Sequence, residues 1–177
     1  MLKRCCCFTM LVLFWGLVSS AGAQQRGGVE FPDTITTEQN RQLFLNGAGI
    51  RKKLFFSIYV AALYLEKPTI DPVELVEHDG PKRILMHFLY DTVEKEKLIT
   101  AWEEGFAANT AAAELTALDS AIKTFTSLFV DMAKGEQILL DYSPGLGTAV
   151  VIKGEEVGLI PGKGFNDALL RIWLGPE

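Results

Sequence analysis

Between residues 29 and 66 the apolar positions come in short β-branched and aromatic runs, without the three-and-four spacing of a helix face. VEFPDTIT predicts an extended entry segment broken at Pro32, preceded by a flexible lead-in at QQRGG. QLFLNG, residues 42–47, predicts a strand that stops at the turn signal Asn46-Gly47. From Ile50 to Leu65 there is no Gly or Pro, which predicts one long strand, or two joined by a bulge, ended by Pro68. On a regular strand Arg51, Lys53, Ser57 and Tyr59 share one face, while Ile50, Leu54, Phe56, Ile58 and Val60 take the other.

Helical spacing begins later. DPVELVEH predicts a short helix capped by Asp71 with Pro72 at its first position, and KRILMHFLY, residues 82–90, predicts the next strand. From Asp91 or Thr92 the pattern turns helical through Leu98, Trp102 and Phe106. A second stripe, Leu115, Leu118, Ile122, Phe125, Phe129 and Met132, predicts a helix that runs to near Gly135. QILLDY, GTAVVIKG and EVGLIPG predict three further strands, joined by SPGLG and by a hairpin at GEE. FNDALLRIWLG closes the chain as an amphipathic helix with Phe165, Ala168, Leu169, Ile172 and Trp173 on one face. Strands, two helices, strands and a final helix predict an α+β fold, a largely antiparallel sheet with helices packed on one face.

The N-terminus has a different pattern. Lys3 and Arg4 precede an apolar run from Cys5 to Val18, and Ala21-Gly22-Ala23 supplies the small residues of a cleavage site. The run falls short of the ~20 apolar residues of a spanning helix. Residues 1–23 are therefore expected to be a signal peptide cleaved near Ala23 that directs residues 24–177, a single domain, to the periplasm with no stable membrane anchor. All three cysteines lie inside that leader, so the remainder has no thiol for a disulfide or a metal. The net charge is −5 and becomes more negative without Lys3 and Arg4, which disfavours nucleic acid as a partner. Arg51, Lys52 and Lys53 form a local basic exception.

Catalytic constellations are sparse. His78 and His87 are the only histidines, too few for a zinc site, and there is no G-x-S-x-G nucleophile motif. Gly47-Ala48-Gly49 precedes a strand, not the helix that phosphate binding requires, so no nucleotide cofactor is expected. Lys163 in PGKGF offers a cation before a helix, although a plain turn explains the same residues. Glu103-Glu104 and Glu155-Glu156 fit solvated positions. What remains is Arg51 with Lys53 and Tyr59, basic groups and a phenol that together suit a carboxylate or an enolate oxygen. Solvated strand-end charges beside a core tyrosine are the plainer explanation of the same residues.

GAGIR, IYVAALYLE, DYSPGLGTAVVIKGEEVGLIPG and FNDALLRIWLG resemble the bacterial branch of the chalcone isomerase-like proteins, from about Val29 to Gly175. The resemblance implies an open-faced β-sandwich with helices on one side and a cleft between. In plant chalcone isomerases such a cleft closes a flavanone ring; in related plastid proteins it binds fatty acids, with an arginine and a tyrosine on the carboxylate. Arg51 matches that arginine through G-x-G-x-R. Tyr59, counted back from Leu63-Tyr64-Leu65, matches the tyrosine of the fatty-acid binders, where true isomerases carry threonine. The isomerases' catalytic tyrosine and asparagine have no match in YDTVEKEKLITAWEEGF, so no residue is assigned a catalytic role.

Spacing sets a condition on this match. Along one straight strand the eight steps from Arg51 to Tyr59 span ~26 Å, too far to share one carboxylate. Either a turn or bulge between Lys53 and Phe56 folds the segment back, or Tyr59 alone lines the cleft with Lys53 as a substitute cation. No Gly, Pro, Asn or Asp there favours a tight turn, which weights the expectation toward Tyr59. The resemblance implies an exported, non-catalytic binder of a fatty acid or similar small amphipathic carboxylate, with no cofactor or metal. Two alternatives stay open: an isomerase or intramolecular lyase acting on an enone or aromatic substrate, with Arg51 polarising a carbonyl and Tyr59 orienting or donating a proton, and an envelope accessory protein acting through protein contacts.

Overall fold

The computed structural model describes residues 23–175; the expected leader and its cleavage signal lie outside them, apart from Ala23 itself. In chain order the elements are β1 (Ala23–Arg26), β2 (Val29–Pro32), β3 (Thr34–Thr36), β4 (Gln42–Lys53), β5 (Phe56–Leu65), α1 (Pro72–Glu77), β6 (Lys82–Phe88), β7 (Thr92–Val93), α2 (Lys95–Asn109), α3 (Ala112–Ser127), β8 (Met132–Ala133), β9 (Gln137–Ser143), β10 (Gly147–Ile152), β11 (Glu155–Ile160) and α4 (Lys163–Leu174). Seven strands form one sheet in the order β11-β10-β9-β6-β5-β4-β3, and every ladder in it is antiparallel. This is the α+β architecture the pattern predicts. Helices α2 and α3 sit in the crossover from β6 to β9, so the chain leaves the sheet, covers one face and returns beside the strand it left.

Strict alternation divides the core. On β6, Ile84, Met86 and Phe88 are buried toward the helices, where Ile138 and Leu140 of β9 and Trp102, Phe106, Phe125, Phe165 and Leu169 of the helices meet them. The opposite face carries a smaller core of Phe31, Leu43, Val60, Ala62 and Tyr64, under the β1–β2 hairpin. The segment QQRGG is therefore not a loose lead-in: Gly27 and Gly28 both have positive φ and turn it into a paired hairpin.

Two helix boundaries move inward. Helix α2 starts at Lys95, because Thr92 and Val93 pair with Ala133 and Met132, and the Lys95 amide donates to Asp131 Oδ1 at 2.9 Å. Helix α3 ends at Ser127, since Met132 is taken by the same two-stranded ribbon. Helix α1 follows its sequence signal, with the Asp71 carboxylate accepting from the Val73 amide at 2.9 Å.

Beside α1 lies a partly buried polar cluster that ties helices to sheet. The Lys82 amine donates to the His78 carbonyl and stands 5.2 Å from the Tyr142 ring centroid, and burial lowers its pKa. Tyr142 donates to Asp79 at 2.5 Å. Lys163 donates to the Val76 carbonyl at 3.2 Å and to Asp167 at 2.6 Å, so the cation of PGKGF is engaged by its own fold.

Candidate functional site

The segment GAGIRKKLFFSIYVAALYLE folds as a hairpin, not as one strand. Lys53 pairs with Phe56, and Leu54 and Phe55 make the turn between them, with Leu54 at φ 56°. Asn46-Gly47, expected to end a strand, instead forms a bulge inside β4: Leu45 pairs with Tyr64 and Gly47 with Leu63, leaving Asn46 unopposed. The Asn46 side-chain oxygen accepts from the Thr69 amide at 2.8 Å, which holds the bulge in place. One extra residue reverses the side-chain parity of the strand. Leu43 and Leu45 pack with the core under the β1–β2 hairpin, and beyond the bulge Gly47, Gly49 and Arg51 face α4.

Residues paired across an antiparallel ladder project from the same face, with Cβ atoms about 4.5–5.5 Å apart. Gly47 is paired with Leu63, Gly49 with Ala61 and Arg51 with Tyr59. The hairpin turn thus resolves the spacing problem, and the expectation that favoured Tyr59 over Arg51 is corrected: both side chains rise from one place. The shared strand face expected for Ile50, Leu54, Phe56, Ile58 and Val60 is corrected too, since Leu54 lies in the turn and Phe56, next to it, is exposed.

Above these pairs lies a cavity of about 380 Å³, between β4–β5 and the last turns of α4. Its floor is open because two of its positions have no side chain: a Cβ built on Gly47 or Gly49 meets nothing within 4 Å. Ala61 and Leu63 continue the floor, and Leu170, Ile172, Trp173 and Leu174 form the helical wall. The size falls within the ordinary range of small-molecule sites, about 300–1,000 Å³, and the lining is mostly apolar with few polar groups.

The polar groups stand together. The Trp173 indole N–H donates to the Tyr59 hydroxyl oxygen at 3.2 Å, so the phenolic proton is directed elsewhere. Burial pushes the Tyr59 pKa above the ordinary tyrosine value, opposed by the Trp173 hydrogen bond and by the positive charge of Arg51. Tyr59 therefore remains a neutral hydroxyl donor at physiological pH. Arg83 engages Asp141 through two hydrogen bonds of 2.5 Å, Arg171 engages Glu114 at 2.9 Å and Arg41 pairs with Glu66. Among the described residues no carboxylate pairs with Arg51, which is solvent-exposed at the rim of the cavity. A guanidinium and a phenol at one end of an apolar trough can hold a carboxylate whose tail lies along the glycine floor.

Lys53 lies one pair from the turn and is not part of the cavity lining, so the fold puts Arg51, and not Lys53, beside Tyr59. The glycines of the G-x-G-x-R motif and Trp173 are the functional residues that sequence reasoning passed over. The alternation of two glycines with an arginine was the signal, because along a strand it leaves one bare face that ends in a cation. The sequence pattern assigns Trp173 only to the apolar face of the last helix. Among the described residues no group of three or more His, Cys, Asp or Glu converges as a metal site would. His87 instead faces Gln137 at 3.1 Å, with its pKa lowered by burial.

The fatty-acid binding protein AtFAP1 of Arabidopsis thaliana has a similar structure, with a TM-score of 0.70 and 20% sequence identity over 88% of this chain and 90% of that one. No curated protein matches the sequence. The family model described as chalcone isomerase-like matches residues 23–177, which takes in every strand and helix described above. The chain belongs to the chalcone isomerase-like family.

Proposed function

We propose that this protein binds a fatty acid or a similar amphipathic carboxylate without converting it, with the tail over Gly47 and Gly49 and the headgroup between Arg51 and Tyr59. The observation that carries this reading is the direct pairing of Arg51 with Tyr59 at the polar end of an apolar cavity, with no carboxylate among the described residues neutralising the guanidinium. The fatty-acid binding described for AtFAP1 supports it, because the two chains share a fold. The raised pKa of Tyr59 also favours binding over proton transfer, since a phenol that holds its proton more firmly than usual is a poor acid. The leader-like pattern of residues 1–23 supports action after export to the periplasm.

Native mass spectrometry of the purified protein, followed by palmitate titration of delipidated protein, tests the proposal. A co-purifying fatty acid, or saturable palmitate binding that Arg51→Gln weakens, is the expected result. Protein that is consistently empty and has no palmitate affinity would sink it.

A further inference from the structure

The turn that brings Arg51 to Tyr59 has a second property. Leu54 and Phe55 are 84% and 96% exposed, and Phe56 beside them is 54% exposed with its ring edge against Tyr90, centroids 5.4 Å apart. Neighbouring strands do not reach this end of the hairpin: β6 stops at Phe88, opposite Tyr59, and β3 pairs no further along β4 than Phe44. Residues 52 to 57 therefore project as a two-stranded ribbon. Leu54 has φ 56°, at the first position of a two-residue turn, where glycine would relieve the strain. A bulky apolar residue occupies a place that turn chemistry and solvation both disfavour.

The charges next to the tip are equally uneven. Arg51, Lys52 and Lys53 are exposed, and among the described residues none of them joins an ion pair, although the whole chain carries a net charge of −5. We propose that this hairpin tip docks on the surface of an anionic lipid bilayer, with Leu54 and Phe55 entering the headgroup–acyl boundary and the basic residues meeting the anionic headgroups. Its small area argues for this occupant. Two or three side chains of about 150–250 Å² each fall short of the roughly 800 Å² per partner of a stable protein interface. A bilayer needs only a few apolar anchors beside a basic patch. The inference rests on the fatty-acid reading for its purpose: Arg51 belongs both to the basic patch and to the cavity rim, so a docked tip holds the carboxylate end of the cavity at headgroup level.

The test uses the chain from Ala23 to Glu177, which carries every strand, helix and core residue described. Flotation is measured with vesicles of phosphatidylcholine alone and with added phosphatidylglycerol, and palmitate binding is measured separately without vesicles. Binding is expected only to the anionic vesicles and should fall as salt is added. Leu54→Gly combined with Phe55→Ser should weaken it about tenfold or more, and Lys52→Gln about fivefold. Glycine suits the positive φ at position 54, and palmitate binding in solution should not change, which separates a lost anchor from a misfolded protein. No vesicle binding, or binding indifferent to the tip substitutions, overturns docking even when palmitate binds; vesicle binding without palmitate binding leaves docking standing and removes the ligand proposal. Self-association lost in the Phe55→Ser protein, with no vesicle binding, would assign the tip to a second copy and overturn the inference.

Discussion

Over β6, β9 and β10 the helix-facing positions are Ile84, Met86, Phe88, Ile138, Leu140 and Val150, and the helices answer them with large rings. Trp102, Phe125 and Phe129 stand with ring centroids 4.8 to 5.5 Å apart, and Phe165 adds a contact at 5.2 Å to Phe125. Over β4 and β5 the same face of the same sheet presents Gly47, Gly49 and Ala61, and α4 closes over a void. Backbone pairing continues through both regions, so it does not create the difference. Side-chain size does. A sheet face covered by a helix becomes core where its residues fill the gap and a binding site where they do not, and Trp173, whose ring lies 5.5 Å from Trp102 and whose N–H reaches Tyr59, joins the two.

The filled end should therefore show the largest loss of stability. Phe125 is fully buried and touches four rings, on α2, on α4 and in the segment after α3, so Phe125→Ala is expected to cost about 3–5 kcal/mol, read from urea unfolding. A cost below about 1 kcal/mol would mean that the aromatic cluster collapses to refill the space and is less tightly packed than the geometry indicates. At the hollow end the losses should appear in binding instead. Arg51→Gln should leave the fold intact, since among the described residues no carboxylate pairs with the guanidinium, and should weaken palmitate by about 1.5–3 kcal/mol, roughly ten- to 150-fold. Methyl palmitate, which has no carboxylate charge, should not distinguish wild type from variant. Equal losses for both ligands would place Arg51 outside the carboxylate site.

A substitution that makes the hollow end resemble the filled one gives the sharpest comparison. Gly49 has ordinary strand φ and open space where its Cβ would be, so Gly49→Leu adds apolar volume without backbone strain. Calorimetric melting should change by no more than about 1 kcal/mol, while palmitate binding weakens by about 1–3 kcal/mol because ligand and leucine compete for one volume. Unchanged palmitate affinity would show that the ligand lies elsewhere.

How much of this was legible in the sequence differs between the same two regions. The filled end was read well, because apolar spacing on α3, α4 and the later strands is a repeated signal and each error was one of boundary. The spacing predicts a helix from Asp91 or Thr92 that in fact begins at Lys95, since Asp131, which accepts from the Lys95 amide, lies thirty-six residues away and has no local signature. The hollow end was misread in its turns. Asn46-Gly47, a strong hairpin signal, is used as a bulge, and the real turn falls on Leu54-Phe55, which has none of the residues that turns favour. Local chemistry was overridden there by pairing along the rest of the hairpin, which fixes Arg51 opposite Tyr59 whatever the turn costs. Arg51 and Tyr59 stand out by residue chemistry and by family likeness, and only the register shows their proximity.

The smallest expected effect concerns the residue that joins the two regions. Tyr59→Phe removes the acceptor of the Trp173 N–H, at about 0.5–1.5 kcal/mol near neutral pH. Its pH dependence has a definite sign. Burial raises the folded-state pKa of Tyr59 above the value of about 10 in the unfolded chain, so its contribution is complete below that pH and is lost as pH rises through the folded value. Wild type and variant should therefore differ most at neutral pH and converge on the alkaline side. Burial raises Tyr64 and Tyr142 in the same direction, so the variant keeps a shallower alkaline decline instead of none. Urea midpoints measured from pH 7 upward decide the matter: parallel curves would mean that Tyr59 titrates like a solvated phenol, and the hydroxyl assigned to the ligand would then belong to the open rim of the cavity, on the hollow side of the comparison alone.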